Sequence, residues 1–478
     1  MRRTASPPWE KPVYTLDEAE NLQVGEVHDL YRRYVNKSQV SLMTSFGFGR
    51  ELVSSAEGAY LTLSDGRRIL DMTGGVGVLN HGHNHPRILA ARERFARERR
   101  MEVHKTYFSP YLAALGHNLA EVLPGDLTMS FLPNSGAEAV EGAVKLAYKY
   151  HKGRRSTVLR ADCAFHGKLL GSGGLTGQAQ FGFPTIPGID TFRYGDLGSV
   201  KRAVAAHPDD VYAILIEPFS ASTIQWCSEE FLRGLRELCD REKIVLIFDE
   251  IYTGWGKTGT LFHFMRYPDL IPDVLTTSKS FGGGKSSISA LVAREGVFRK
   301  AYDNLGDALL QSTSTTYYGF GEECATALEA VNIAVEDDYP ARARALGAVL
   351  EPGLERIAKE YPEAVGRVAG AGALWGVFVD GGPRVLDLVA KLAPGGMARD
   401  PRFKTKLVTC AVINALYQDH GIYAYYTLNG LNPLIIGPSL VTDPAEAERT
   451  VDALGEVLDR GLSPLVARFI KQKVGSQW

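Results

Sequence analysis

The sequence predicts an α/β protein, a large domain on a doubly wound, mostly parallel sheet joined to a smaller α+β domain. Three observations predict it. Between about residues 128 and 300, short apolar runs alternate with helical patterns, as a chain of strand–helix–strand units does. Two of the runs, Val211–Ile216 and Ile244–Phe248, are apolar without alternation, the signature of strands covered on both faces. Each ends abruptly in acid, Glu217 or Asp249-Glu250, at the strand ends where open α/β sheets bind ligands.

The chain of 478 residues is long enough for two or three domains and a large core. Its 45% hydrophobic and 23% charged residues are ordinary for a globular protein. A formal net charge of −2 makes no electrostatic case for nucleic acid or an anionic membrane. No apolar stretch approaches membrane-spanning length. The twin arginines Arg2-Arg3 lack a following apolar segment and do not read as an export signal. Five dispersed cysteines without a C-x-x-C pair point to reduced thiols and a cytoplasmic setting.

In chain order, residues 1–20 read as a Pro-rich arm and 25–36 as a short helix. Residues 58–72 read as a hairpin turning at Ser64-Asp65-Gly66. A glycine-rich loop follows over 74–80, then helices over 86–102 and 110–123. The arm and hairpin, 1–73, are assigned to pack with the small domain. The large domain covers 74–340, with strands at Met129–Leu132, Thr157–Leu159, Val211–Ile216 and Ile244–Phe248. Its helices are placed at 135–152, 196–206, 228–242 and 321–337. The shift to Arg/Ala/Leu/Glu-rich helices, with strands near Leu374–Val379 and Leu434–Ile436, marks 341–478 as the small domain.

The candidate chemistry centres on Asp249 and Lys279. A carboxylate at a buried strand end could hold a cofactor ring, and Lys279, set among Ser and Gly, could bond to it covalently. An Asp helix cap and a solvated lysine are the plain alternatives. Ser135-Gly136-Ala137 follows a strand and opens a helix, where free backbone N–H groups suit a phosphate; an ordinary Ser cap has the same appearance. Phe165 could stack on a planar cofactor and His166 could serve as an acid or an anchor; a loop aromatic packed on the core is the rival. Glu217 would point into the same crevice, or simply cap or salt-bridge. His81, His83 and His85 lack a neighbouring carboxylate or cysteine to complete a metal set and read as loop residues before Pro86. Gly284-Lys285-Ser286 is no P-loop, because Lys279 stands where that motif needs glycine.

Taken in register, these segments resemble the class III (omega) aminotransferases, pyridoxal-phosphate enzymes of fold type I. The likeness runs from about residue 50 to the end. It is carried by Leu70-Asp71, Gly75-Val76-Gly77-Val78, Gly82-His83-Asn84-His85-Pro86 and Asn134-Ser135-Gly136-Ala137-Glu138-Ala139. Further on it is carried by Phe165-His166-Gly167-Lys168, Ile216-Glu217-Pro218, Asp249–Gly259, Ser278–Gly284 and Ser314-Thr315-Thr316-Tyr317. Within the class, Gly74–Pro86 and Phe165–Gly171 look most like putrescine (diamine) aminotransferases, with enzymes that aminate polyketide aldehydes a related possibility. The resemblance implies a covalent bond from Lys279 to pyridoxal phosphate and an ion pair from Asp249 to its ring nitrogen. It implies Phe165 and Ile251 on the two ring faces and Ser135, Gly136 and Ala137 around the phosphate. Thr316 would reach the phosphate of a neighbouring subunit in a homodimer.

Three departures bear on the substrate. Tyr252 stands where the family usually has glutamine beside the ring. Phe219-Ser220-Ala221-Ser222-Thr223 replaces a glycine-rich segment. Ile435 occupies the place of an arginine that grips the substrate's α-carboxylate in many members, and an apolar side chain cannot make that bidentate contact. The expected reaction is therefore amino transfer between a terminal aliphatic amine, or an amino-acid donor, and an aldehyde or ketone without an α-carboxylate, with natural-product biosynthesis as one setting for it. Racemase, decarboxylase or lyase chemistry on the same scaffold is the alternative.

Overall fold

The computed structural model describes residues 13–102, 106–177, 182, 186–307, 315–380, 401–427 and 431–475. Its centre is a seven-stranded sheet ordered β4-β12-β11-β10-β7-β5-β6. These strands are β4 (Leu127–Phe131), β5 (Thr157–Ala161), β6 (Ile189–Phe192), β7 (Val211–Ile216), β10 (Val245–Asp249), β11 (Val274–Thr277) and β12 (Ala290–Arg294). Alternation explains the unbroken apolar runs. Val245 and Ile247 enter one core with Val140, Ala143 and Leu146 of the helix Gly136–Tyr150. Leu246 and Phe248 enter the other with Leu232 and Leu235 of the helix Glu229–Glu242. A strand buried on both sides has no polar face to show.

One strand breaks the pattern expected from sequence. β12 runs antiparallel to both β11 and β4. The connection from β11 contains only the short turn Lys279–Gly282, not the helix that a parallel crossover requires, so the chain returns antiparallel. β6, β11 and β12 are absent from the sequence reading. β11 and β6 are short and carry threonine or aspartate, which weakens their apolar signal.

The first strands, β1 (Val53–Glu57), β2 (Tyr60–Leu63) and β3 (Arg68–Asp71), form a four-stranded sheet with β15 (Ile422–Tyr423). β15 pairs parallel to β3, with Ile422 opposite Leu70. A second four-stranded sheet has the order β13-β14-β17-β16, from β13 (Val365–Ala371), β14 (Leu374–Val379), β16 (Tyr425–Tyr426) and β17 (Leu434–Ile436). A two-stranded ribbon, β8 (Phe219–Ser220) with β9 (Gln225–Trp226), follows β7. The segment expected as one short helix is helical further, from Val24 to Ser45, with a π-helical stretch at Tyr31–Asn36. No helix of the described residues is long and apolar enough to cross a membrane. All five cysteines are free thiols.

The loop after β10 is fixed by Glu250. Its fully buried carboxylate accepts bonds from Thr253 Oγ1, His263 N and Phe264 N, each at 2.7 Å. Trp255 Nε1 donates to Thr277 Oγ1 at 2.9 Å, joining the same loop to β11. Truncating the carboxylate strands buried donors, which costs about 1–3 kcal/mol each. Glu250→Ala is expected to lower the denaturant midpoint by an amount matching several kcal/mol. Glu250→Gln, which keeps one acceptor oxygen but turns an amide NH2 toward the remaining donor, is expected to lose less than Glu250→Ala.

Candidate active site

Every strand of the large sheet except β12 runs the same way, and their carboxyl ends meet at one edge. Asp249 is the last residue of β10, Glu217 follows β7, and Phe165 and His166 follow β5. Lys279 follows β11 and Ser135 follows β4. The parallel register of β10 and β11, with Asp249 opposite Thr276, sets the carboxylate and the lysine at the same level.

Gly136, Ala137, Phe165, His166, Glu217, Asp249, Ile251, Tyr252 and Lys279 all line one cavity of about 440 Å³. That volume lies within the range of small-molecule sites. Ser135 and Thr316 do not line it. Ser135 is exposed, and its hydroxyl accepts the Glu138 N–H while Glu138 accepts from the Ser135 N–H, a capping box. Thr316 is also exposed, and its neighbour Thr315 accepts a bond from Asn134 Nδ2 at 3.2 Å.

The polar groups are tightly arranged. His166 Nδ1 lies 2.7 Å from Asp249 Oδ2, and Ile251 N donates to Asp249 Oδ1 at 3.1 Å. With the proton on Nδ1, the imidazole donates to the carboxylate and fixes its plane. His166 is thus an anchor for Asp249. Its Nε2 is buried without a hydrogen-bond partner among the described residues. Glu217 Oε2 accepts from Phe165 N at 3.1 Å. Burial pushes the Glu217 carboxyl up to about 8, and the nearby Asp249 adds to that rise.

Lys279 has a φ of +49°, in the left-handed region that side chains other than glycine enter at a cost. That backbone begins the turn that carries its amine into the cavity. Burial pulls its ammonium down to about 8, against the opposing pull of Asp249 and Glu217. Gly283, after Lys279, has no open space beside it. A Cβ on Gly283 would stand 2.5 Å from Ile88 Cδ1, so this glycine lets the turn pack on the helix Pro86–Arg97.

The three histidines of 81–85 separate in function. His83 Nε2 meets Asp71 Oδ2 at 2.9 Å, and His81 Nε2 lies 2.9 Å from Ala330 O. Phe219, Ala221 and Ser222, from the segment singled out in the sequence, form part of the wall, whereas sequence reasoning missed Tyr425, Tyr426 and Thr427. The dense tyrosine run from Tyr423 to Tyr426 was the available signal.

The cavity fits a flat, anionic aldehyde cofactor. A carboxylate held by two donors faces it, an amine of lowered basicity enters it, and an aromatic ring and Ile251 border it. A Cβ on Gly136 would stand 2.8 Å from Ile251 Cδ1, so glycine lets the helix N-terminus close on the isoleucine. The doubly wound sheet with this lysine and aspartate defines a pyridoxal-phosphate enzyme of fold type I. The sequence profile described as "Aminotransferase class-III" matches residues 49–458, and the chain belongs to that family of pyridoxal-phosphate-dependent aminotransferases. An ornithine aminotransferase from Toxoplasma gondii ME49 is similar in structure, with a TM-score of 0.77 at 24% identity, covering 94% of this chain and 100% of that one. A transaminase from the marine bacterium Virgibacillus has a TM-score of 0.78 at 20% identity, covering 92% and 99% respectively. A second Toxoplasma gondii ornithine aminotransferase structure, with partial occupancy of PLP at its active site, has a TM-score of 0.75 at 23% identity, covering 96% and 100%.

The lowered basicity of Lys279 has a measurable sign. As the residue that the resemblance assigns to bond the cofactor, Lys279 would attack through its unprotonated amine. It dominates above about pH 8, rather than only above the ordinary lysine value of about 10.4. Covalent capture of pyridoxal phosphate by apoenzyme is expected to accelerate about tenfold per pH unit below that midpoint and to level off above it. A rate still climbing through pH 10 rules out the depressed amine.

Proposed function

We propose that this enzyme moves an amino group between a terminal aliphatic amine and an aldehyde or ketone that carries no α-carboxylate. The observation that carries the proposal is the make-up of the cavity. Its described lining holds two carboxylates, Glu217 and Asp249, two lysines, Lys168 and Lys279, and no arginine. Ile435 is fully buried in an apolar cluster with Phe219, Ala221, Ile224 and Leu374. A substrate carboxylate entering there would lose its hydration without gaining a bidentate partner, which costs several kcal/mol. An aliphatic chain with a terminal amine meets aromatic and aliphatic walls instead. The likeness of Gly74–Pro86 and Phe165–Gly171 to diamine and polyketide-aldehyde aminotransferases points the same way.

In this reading Lys279 bonds covalently to the cofactor, and Asp249, oriented by His166, holds the proton on its ring nitrogen. Phe165 and Ile251 would flank the ring, and the N–H groups at Gly136 and Ala137, at the start of the helix that Ser135 caps, would receive the phosphate. Glu217 and Tyr252 border the ring. The bound cofactor supplies an electron sink that lets a C–H bond beside nitrogen break at neutral pH. Lys279 Nζ would be the group that takes that proton from the substrate carbon and carries it across to the cofactor. Thr316, exposed on this subunit, completes the phosphate site of a second copy, which makes the active unit a homodimer. Residues 1–73 and 341–478 form one small domain against the large domain 74–340. Pairing of β15 with β3 supports that division.

Borohydride reduction of holoenzyme is expected to fix the cofactor on Lys279, and Lys279→Ala is expected to abolish both the adduct and the visible band. In a donor–acceptor screen, terminal diamines and medium-chain aldehydes are expected to exceed α-amino and α-keto acids by at least about tenfold in kcat/KM. That ratio corresponds to about 1.4 kcal/mol of transition-state binding. An α-amino acid preferred over every terminal amine sinks the substrate assignment while leaving the cofactor assignment intact. Mixing Lys279→Ala subunits with Thr316→Ala subunits is expected to restore one intact site per mixed dimer, seen as recovered turnover. No recovery despite exchange of subunits removes Thr316 from the shared site.

A further inference from the structure

We propose that Tyr252 is a positioning residue for Lys279: its ring face carries the lysine ammonium while Nζ holds the substrate proton, and Tyr425 steadies that ring from the small-domain sheet. This rests on the reading of Lys279 given above. Nζ of Lys279 lies 3.8 Å from the centroid of the Tyr252 ring. That is well inside the distance at which an ammonium is drawn to the negative face of an aromatic ring.

The ring is held from several sides. The Tyr252 and Tyr425 hydroxyls are 2.6 Å apart. Tyr252 belongs to the loop after β10, and Tyr425 to β16 in the other sheet. Burial raises both phenols, so each keeps its proton and one donates to the other. Gly77 has a φ of +84°, and a Cβ there would stand 2.9 Å from Tyr252 Cζ. A Cβ on Gly437 would approach the Tyr252 hydroxyl to 3.3 Å. Glycine at 77 is therefore the condition for a tyrosine at 252, and the ring has little freedom to leave the lysine.

The groups facing Lys279 come from four elements. Asp249 ends β10, and Glu217 follows β7. Lys168 lies in the loop after β5, and Lys257 lies farther along the loop of Tyr252 itself. The two carboxylates and the ring favour the ammonium. The two lysines and burial oppose it. When the substrate C–H bond breaks, its electron pair stays with the substrate–cofactor system and the proton goes to Nζ. The new cation then forms directly against the ring face, and the same proton leaves for C4′. A flat π face stabilises that cation without fixing it by a hydrogen bond that would have to break for the second transfer.

The test uses holoenzyme variants with a terminal diamine as donor, reading kcat, KM and the pH profile of kcat. Tyr252→Leu is expected to lower kcat at least about tenfold with KM changed less than about threefold. Its acid limb is expected to move down by about one pH unit, since removing the ring destabilises the ammonium. Tyr252→Gln removes the ring with a smaller polar chain and is expected to behave alike, which keeps the test decisive if the leucine variant misfolds. Tyr252→Phe and Tyr425→Phe keep the face and lose only the hydroxyl pair. They are expected to cost about threefold in kcat, with the limb unmoved. An unmoved limb in both Tyr252→Leu and Tyr252→Gln overturns the proposal, as does a Tyr252→Phe variant as impaired as Tyr252→Leu. Absence of a borohydride-fixed adduct on Lys279 in the parent enzyme would instead overturn the underlying reading, so the two failures are separable.

Discussion

The site depends on the parallel register of β10 and β11. Ile247 lies opposite Val274, and Asp249 opposite Thr276, so the chain emerges from both strands at one level. A carboxylate and an amine are thereby brought to the same edge, the carboxylate buried and the lysine partly so. Burying charge is expensive unless it is paired and hydrogen-bonded. The structure meets that cost locally for the carboxylate, through His166 and the Ile251 N–H. It does not meet it fully for the lysine, whose basicity falls. A one-residue slip would reverse the faces of β10, sending Val245 and Ile247 to the wrong core. Sheet packing and active-site chemistry are thus specified by the same alternation.

A second constraint lies across the junction between the sheets. Buried Lys257 donates to Pro438 O at 2.7 Å, tying the loop after β10 to the segment after β17. Its ammonium is pulled down by burial to about 7, with Asp71 opposing the fall. Asp71, at the end of β3, accepts from Thr73 and is paired with His83. The Tyr252–Tyr425 bond crosses the same junction. The Lys257–Pro438 and Tyr252–Tyr425 bonds each join a late segment to the loop of Asp249, so the cavity walls from the two parts of the chain are held in fixed relation.

Much of this was legible in the sequence because it follows from short-range rules. The apolar runs of β7 and β10, the Ser135 cap of Gly136–Tyr150 and the hairpin before Asp71 each announce themselves within a few residues. What was not legible depends on pairing across the chain. The reversal of β12 follows from a missing crossover helix, and no local signal marks its direction. The His166–Asp249 bond joins residues that only the order β10-β7-β5 brings together. Gly283 makes room for Ile88, a neighbour its sequence position does not announce, because a glycine reports close approach without saying by what. Tyr425 and Tyr426 reach the cavity from β16, an element of two residues too short to carry a pattern.

The departures from the family's usual residues form one physical argument. Tyr252 is a larger group than the glutamine it replaces, and it fits because Gly77 is present and because its hydroxyl finds Tyr425. Ile435 joins the apolar cluster that includes Phe219, Ala221 and Ile224 and against which Tyr252 and Tyr425 pack. An arginine placed within that cluster would be an uncompensated buried cation, since its described members offer no carboxylate. The exchange of arginine for isoleucine and the apolar character of residues 219–224 therefore depend on one another. A single arginine placed at 435 would therefore meet a wall whose packing is built for an aliphatic side chain.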